Sequence, residues 1–400
     1  MVRLTMILMG IFLIQKAAFP TTVLAAEENG MKIWVATDMH YLAPSLFKED
    51  SGTFQRLLET NDGKVIEKMP EVMEEFTRKV IEEKPDAVLI PGDITMNGEM
   101  ISLREMKAYF HQMQNAGVSV CVIPGNHDID YFFAESYLTD EVIHVENISQ
   151  EEFREEMQDF GIRDSVSADT ESFSYLYKLT EDAYVLAIDT NTEQAPNRVK
   201  AETLQWMRKA LRNLRLQNPK ARVISMTHQN VLRASEVLYE GFQISNADEV
   251  LPVLKEYGVS WHFSGHSHLQ HKSEQNGFTD YCNESMALYP ISYAEAFWMT
   301  DDSLSYERVE VGVQKEFAKK RFLGRNEDML SALLAGRGLT EDQIQAMIEL
   351  AMELNLLTFT GEAYDPAEYS SRPAWTDWTK YASDSFWYDY LADMLSESHK

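Results

Sequence analysis

The chain has almost no cysteine. Among 400 residues only Cys121 and Cys282 occur. Two thiols cannot build a disulfide framework, so a packed core has to hold the fold. Cys121 lies in the apolar run Val118–Ile123 and reads as a buried strand thiol. Basic residues are also scarce, 36 Lys and Arg against 64 Asp and Glu, for a net charge of −28. Such a chain repels polyanions at long range, which argues against a nucleic-acid polymer as partner. Small phosphorylated substrates stay open, because divalent cations reverse the field inside a site. No repeat at a fixed period is visible, which sets solenoids aside. Beyond the N-terminus, no apolar run approaches the about 20 residues of a membrane span.

What is present begins with an export signal. Arg3 precedes the apolar run Leu4–Ile14, and Thr22-Val23-Leu24-Ala25-Ala26 offers small residues around a cleavage site after Ala25. Residues 1–25 therefore read as a signal peptide, and membrane association is expected only if it stays uncleaved. The expected location is extracellular or in the cell envelope. The scarcity of cysteine in an exported chain suits a bacterial protein. Hydrophobic residues make up 44% of the sequence, enough for a sizeable core.

From residue 31 short β runs alternate with helical spacing. Strands are expected at Lys32–Thr37, Asp86–Ile90, Val118–Ile123, Ala221–Met226 and Val259–Ser264. Helices are expected at Lys64–Lys84, Glu99–Asn115, Ala201–Gln217 and Asp248–Tyr257. This alternation predicts a parallel sheet built from βαβ units. Ser149 and Glu152 form a capping box before another helix. Ser172–Leu179 and Ala183–Ile188 read as a hairpin, and the region from Tyr281 to about Val313 has β character. After about residue 324 the composition shifts to helical segments at Asn326–Ala335 and Glu341–Leu356, followed by an aromatic tail.

Five short motifs follow predicted strands, at the edge where open α/β sheets bind ligands. They are Asp38-Met39-His40, Gly92-Asp93, Gly125-Asn126-His127-Asp128, Thr227-His228 and Gly265-His266-Ser267-His268. Carboxylate, imidazole and amide oxygen suit Mn, Fe, Co and Zn. One carboxylate can bridge two ions about 3.5–4 Å apart. The glycines before Asp93, Asn126 and His266 are expected to permit sharp backbone turns. Alone, Asp-x-His carries little signal, Gly-Asp is an ordinary turn and Thr227-His228 a core histidine, while Gly-Asn-His-Asp and Gly-His-x-His are moderately specific; five in order, each after a strand, point to one purpose. His111, His144, His262, His271 and His399 fall outside the motifs and read as structural. His262 and His271 lie close enough to the last motif to support it.

With these motifs the chain resembles the calcineurin-like metallophosphoesterase family over roughly residues 32–300. The resemblance implies a four-layer α/β/β/α sandwich at 31–323, with 324–400 as a C-terminal helical addition. It implies one metal held by Asp38, His40, Asp93 and His268, and another held by Asp93, Asn126, His228 and His266. The two ions would be divalent or trivalent: Mn, Fe, Zn or Co. His127 would contact the phosphate and protonate the leaving oxygen, with Asp128 beside it as local support. The substrate would be a small phosphate ester. Within the family, Pro91–Glu99 with the Gly-Asn-His-Asp and Gly-His-Ser-His motifs is most similar to the secreted bacterial class III cyclic-nucleotide phosphodiesterases. That branch commonly carries a second His and prolines after the fourth-motif histidine; here Gln229, Asn230 and Val231 follow His228. The substrate contact from that loop is therefore open, as are roles for Asn97 and Tyr41. A broad phosphomonoesterase or an envelope-lipid phosphodiesterase would use the same metals. A non-catalytic binding protein on this fold is opposed by the complete ligand set.

Overall fold

The computed structural model describes residues 30–396; the expected signal peptide at 1–25 and His399 lie outside them. The first half opens with β1 (Gly30–Val35), α1 (Gly52–Thr60), α2 (Met69–Glu83), β2 (Ala87–Pro91), α3 (Met100–Asn115) and β3 (Ser119–Ile123). The helix expected from Lys64 starts five residues later. Asn61 Oδ1 accepts from the Gly63 and Lys64 amides and holds that stretch as a turn. Pro70 then sits in the first turn of α2, where its missing N–H leaves no bond unmade. The capping box appears as read: Ser149 accepts from Glu152 N at the start of α4 (Gln150–Met157), and the Glu152 carboxylate returns to Ser149.

The second half adds β4 (Ser167–Ala168), β5 (Tyr175–Lys178), β6 (Ala183–Ala187), α5 (Ala201–Gln217), β7 (Arg222–Met226), α6 (Ala247–Glu256) and β8 (Trp261–Ser264). The β-rich region resolves into β9 (His271–Gln275), β10 (Phe278–Cys282), β11 (Ser292–Met299) and β12 (Leu304–Glu310).

The alternation predicts a parallel sheet; the strands form two mixed sheets, as the four-layer sandwich implied by the resemblance requires. One has the order β12-β11-β1-β2-β3, the other β9-β10-β8-β7-β6-β5-β4. β1, β2 and β3 are parallel, as are β6, β7, β8 and β10, while the outer strands run antiparallel. Short apolar runs signal a strand but not the sheet it joins, which is why the sequence could not divide them. β6 shows the layering directly. Ala183, Val185 and Ala187 enter the core shared with the first sheet, α2 and α3; Tyr184 and Leu186 enter the core under α5 and α6. Side chains of period two thus separate two cores, giving the order helix, sheet, sheet, helix.

Helices α7 (Lys315–Leu334), α8 (Glu341–Thr360), α9 (Pro366–Ser370), α10 (Pro373–Tyr381) and α11 (Phe386–Met394) follow. They bury their own apolar cluster around Leu334, Ala351, Trp378 and Leu391. The composition shift at residue 324 falls inside α7, which begins before the helix expected from Asn326. The aromatic tail supplies that core rather than an open platform. Among the described residues, no helix is long and apolar enough to cross a membrane.

One buried carboxyl makes stability depend on pH. Glu284 is 3% exposed, neither carboxyl oxygen has a hydrogen bond, and Arg308 stands 3.9 Å away. Burial outweighs that guanidinium and pushes Glu284 up to about 8. A folded-state pKa above the unfolded 4.5 favours the fold below 4.5, and that contribution is lost as pH rises through about 8. Glu284→Gln should therefore flatten the fall in Tm between about pH 4.5 and about pH 8. Scanning calorimetry of both proteins checks it; parallel Tm curves would refute it.

Candidate metal centre

The five motif loops leave the C-terminal ends of β1, β2, β3, β7 and β8, three strands from one sheet and two from the other. Parallel strands deliver these ends to one edge of the sandwich. There Asp38, His40, Asp93, His266 and His268 all take positive φ, between 43° and 65°. Such conformations cost a non-glycine residue roughly 1–3 kcal/mol and cluster at functional sites. The glycines act differently from expectation. Gly92 does turn at φ 94°, but Gly125 and Gly265 keep ordinary φ and are needed for space. A Cβ on Gly125 would lie 2.1 Å from Asp93 Oδ1, and one on Gly265 would lie 2.4 Å from Asp38 Oδ2.

The side chains converge in two groups, Asp38 with His40 and His268, and Asp93 with His228 and His266. In the first, His268 Nε2 lies 3.2 Å from Asp38 Oδ1 and 3.3 Å from His40 Nε2. In the second, His228 Nε2 lies 3.3 Å from Asp93 Oδ1, 3.0 Å from Asn126 Oδ1 and 3.2 Å from His266 Nδ1. Asp93 reaches back toward the first group, its Oδ2 being 3.6 Å from His40 Nε2. The sequence-predicted ligands are all brought together.

The chemistry of this donor set calls for cations. His228 Nδ1–H donates to Pro91 O at 2.8 Å, and His266 Nε2–H donates to Gly241 O at 3.1 Å. Their remaining nitrogens carry lone pairs that face each other, an amide oxygen and a carboxylate. Lone pairs at such distances repel unless a proton or a metal lies among them. Without metal, the carboxylates draw protons unevenly. Burial lowers His228 and His268, but the charge of Asp93 on one and Asp38 on the other wins, pushing both up to about 9. Burial and the adjacent His228 push His266 down to about 3. Neutral imidazoles, carboxylates and one amide oxygen fit borderline divalent or trivalent ions.

His127 stands apart from these groups in its bonding. Its Nδ1–H points at Met96 O and Asn97 Oδ1, 2.8 and 2.9 Å away, which leaves Nε2 for the site. Its ring stacks on Tyr131 at 4.5 Å. It also groups with His40 and Asp93 at ligand spacing. Asp128 does not reach the His127 ring. Its carboxylate accepts from the amides of Ile94, Thr95 and Gly125 and from the Thr95 hydroxyl, so it ties the second motif loop to the third. It is a positioning residue rather than a catalytic one, because every bond it makes is to the loop framework. Asn97 orients His127, while Tyr41 turns away to Glu105.

After His228, Gln229 bonds Thr190 and Asn191, and Asn230 bonds Ser264 and Ser267. These side chains are buried scaffolding. His262 joins Ser225 and Thr227, fixing the residue before His228. Sequence reasoning missed Asp62, whose Oδ2 lies 3.4 Å from His268 Nδ1. It also missed Ser285, which donates to Asp38 O at 2.7 Å. Neither sits in a recognisable motif; only the fold brings them near.

Comparison with known proteins agrees with this geometry. The model of the calcineurin-like phosphoesterase family matches residues 31–270. The chain belongs to that family. This phosphoesterase is accordingly a metal-dependent hydrolase of phosphoric esters, and its clustered His and Asp residues suit a binuclear site. Its residues 314–400 are similar to the C-terminal domain of cyclic nucleotide phosphodiesterase. Among solved structures, a dimetal phosphatase from Danio rerio is 15% identical, with 71% of this chain and 98% of that one covered, at a TM-score of 0.49. A purple acid phosphatase from yellow lupin (Lupinus luteus) seeds is 14% identical, with 71% and 52% covered, at a TM-score of 0.44. A search of curated proteins finds no match.

Proposed function

We propose that this phosphoesterase hydrolyses a small phosphodiester, such as a cyclic nucleotide. Asp38, His40, Asp93 and His268 would hold one ion, and Asp93, Asn126, His228 and His266 the other. Bound there, the two cations supply Lewis acidity toward a phosphoryl oxygen and make a water acidic enough to ionise near neutral pH. His127 holds a proton at Nε2 for the leaving oxygen. Burial and Lys64 lower His127 against the pull of Asp93, so the free imidazole is favoured. A bound phosphate anion, with Met96 O and Asn97 Oδ1 on Nδ1–H, draws the proton onto Nε2.

The observation that carries the diester reading is the surface beside the clusters. A cavity of about 370 Å³ opens next to Asn126, between Tyr131 and the Asn191–Glu193 stretch. Among the described residues, its lining includes Asp130 and Glu193 and no Lys or Arg. Lys64, whose charge reaches His40 and His127, is bonded to Asp62 at 2.7 Å. A monoester dianion therefore meets no additional cation, while the neutral organic group of a diester finds an aromatic and amide-lined pocket of ligand size. The similarity of residues 314–400 to the C-terminal domain of cyclic nucleotide phosphodiesterase supports the same reading. Export of the chain is part of the proposal and rests on the signal-like residues 1–25.

With Mn, Fe, Co or Zn added, bis-p-nitrophenyl phosphate and cyclic AMP should turn over faster than p-nitrophenyl phosphate. Selective hydrolysis of the monoester would favour a phosphomonoesterase and overturn the diester reading. No turnover with any metal would leave a binding protein.

A further inference from the structure

We infer that the C-terminal helices position the metal centre, holding one histidine of each cluster through a separate strap. This inference rests on the two-ion reading above.

The first strap is the segment 61–67. Its Asp62 carboxylate faces His268 Nδ1 at 3.4 Å, which fixes the ring so that Nε2 points at Asp38. The segment has little helix or sheet of its own and is held from α7. Arg325 Nε donates to Asn61 O at 3.1 Å, and Arg321 donates to Lys64 O at 3.2 Å. The Arg321 guanidinium also forks onto the Glu67 carboxylate, at 2.5 and 2.6 Å. Gly63 lies against the α7 backbone at Phe322.

The second strap is the segment 235–241. Its Gly241 carbonyl accepts from His266 Nε2–H, leaving Nδ1 for the cluster. This segment is held from α11. Asp393 Oδ2 accepts from the Ser235 hydroxyl at 2.6 Å and from the Glu236 amide at 3.1 Å. Leu238 packs into the helical core. A third contact follows the last motif directly, where the Gln270 amide donates to Phe359 O of α8 at 3.2 Å. Groups that orient metal-bound histidines tune affinity, and losing one typically weakens binding about 10–100-fold. Arg321 and Asp393 touch neither cluster, so they act as positioning residues at a distance.

The test is a titration of full-length, metal-free protein with Co²⁺, followed by calorimetry and visible absorption, with thermal melts to verify folding. Wild type should bind two ions. Arg321→Met should weaken one of them about 10-fold or more, the same one lost in His268→Ala. Asp393→Asn should weaken the other, the one lost in His266→Ala. Asp62→Asn and Ser235→Ala repeat the two arms from the strap side, should either helix variant fail to melt cooperatively. Folded variants with wild-type affinity for both ions would overturn the inference while leaving the two-ion reading intact. A wild type that binds no pair of ions would overturn both.

Discussion

Asp93→Ala should lower kcat by about 10³-fold or more, with at least one ion lost per chain. Both clusters lean on this carboxylate: Oδ1 lies 3.3 Å from His228 Nε2 and Oδ2 lies 3.6 Å from His40 Nε2. Metal contributes several kcal/mol of charge stabilisation, and about 4 kcal/mol corresponds to about 10³ in rate. Asp93 has a further task, since Oδ1 accepts from the His127 amide at 2.9 Å and so seats the proton-bearing histidine. The substitution therefore strikes both metals and the acid together. Metal analysis of the purified protein beside steady-state kinetics checks it. A variant that keeps two ions and wild-type kcat would remove Asp93 from the centre.

His127→Ala should divide these effects. Turnover should fall by about 10²–10⁴-fold, the usual contribution of a positioned acid or base, while two ions remain bound. The expectation follows from Nδ1, which is occupied by Met96 O and Asn97 Oδ1 and so turns the ring to offer a single nitrogen. The loss should be larger for substrates with poor leaving groups than for p-nitrophenyl esters, whose leaving oxygen needs little protonation. Loss of one ion in this variant would instead make His127 a ligand, the alternative its spacing to His40 and Asp93 allows.

Much of this centre was legible because its residues are local to strand ends. A strand followed by Gly-Asp, Gly-Asn-His-Asp or Gly-His-Ser-His states its loop within a few residues, and parallel strands carry such loops to one edge. Asp128 shows the limit of that reading. The resemblance implied local support for His127, but the Asp128 bonds run to Ile94 and Thr95 in the second motif loop and to Gly125 in its own. Asp62 was invisible for a related reason. It lies in Asn61-Asp62-Gly63-Lys64, a common turn sequence, and gains meaning only when α7 presses that turn toward His268. The strand runs alone did not divide into two sheets, because the central strands are mostly apolar whichever sheet they join; only the resemblance implied the sandwich. The helix-rich end was visible as composition, but its start at Lys315 was blurred by charged residues that α7 spends on Glu67 and on loop carbonyls.

The place of β1 has a consequence in time. It lies inside the first sheet, with β2 on one side and β11 on the other, and Gly30 pairs with Met299. During synthesis β2 and β3 emerge soon after β1, yet the opposite edge of β1 stays bare until three-quarters of the chain has been made. Closing so long a loop is slow. The Asp38 and Asp93 loops are therefore synthesised long before the histidines at 228, 266 and 268, and a ribosome that stalls in between leaves a chain with three of the five strands of the first sheet and no complete ion site.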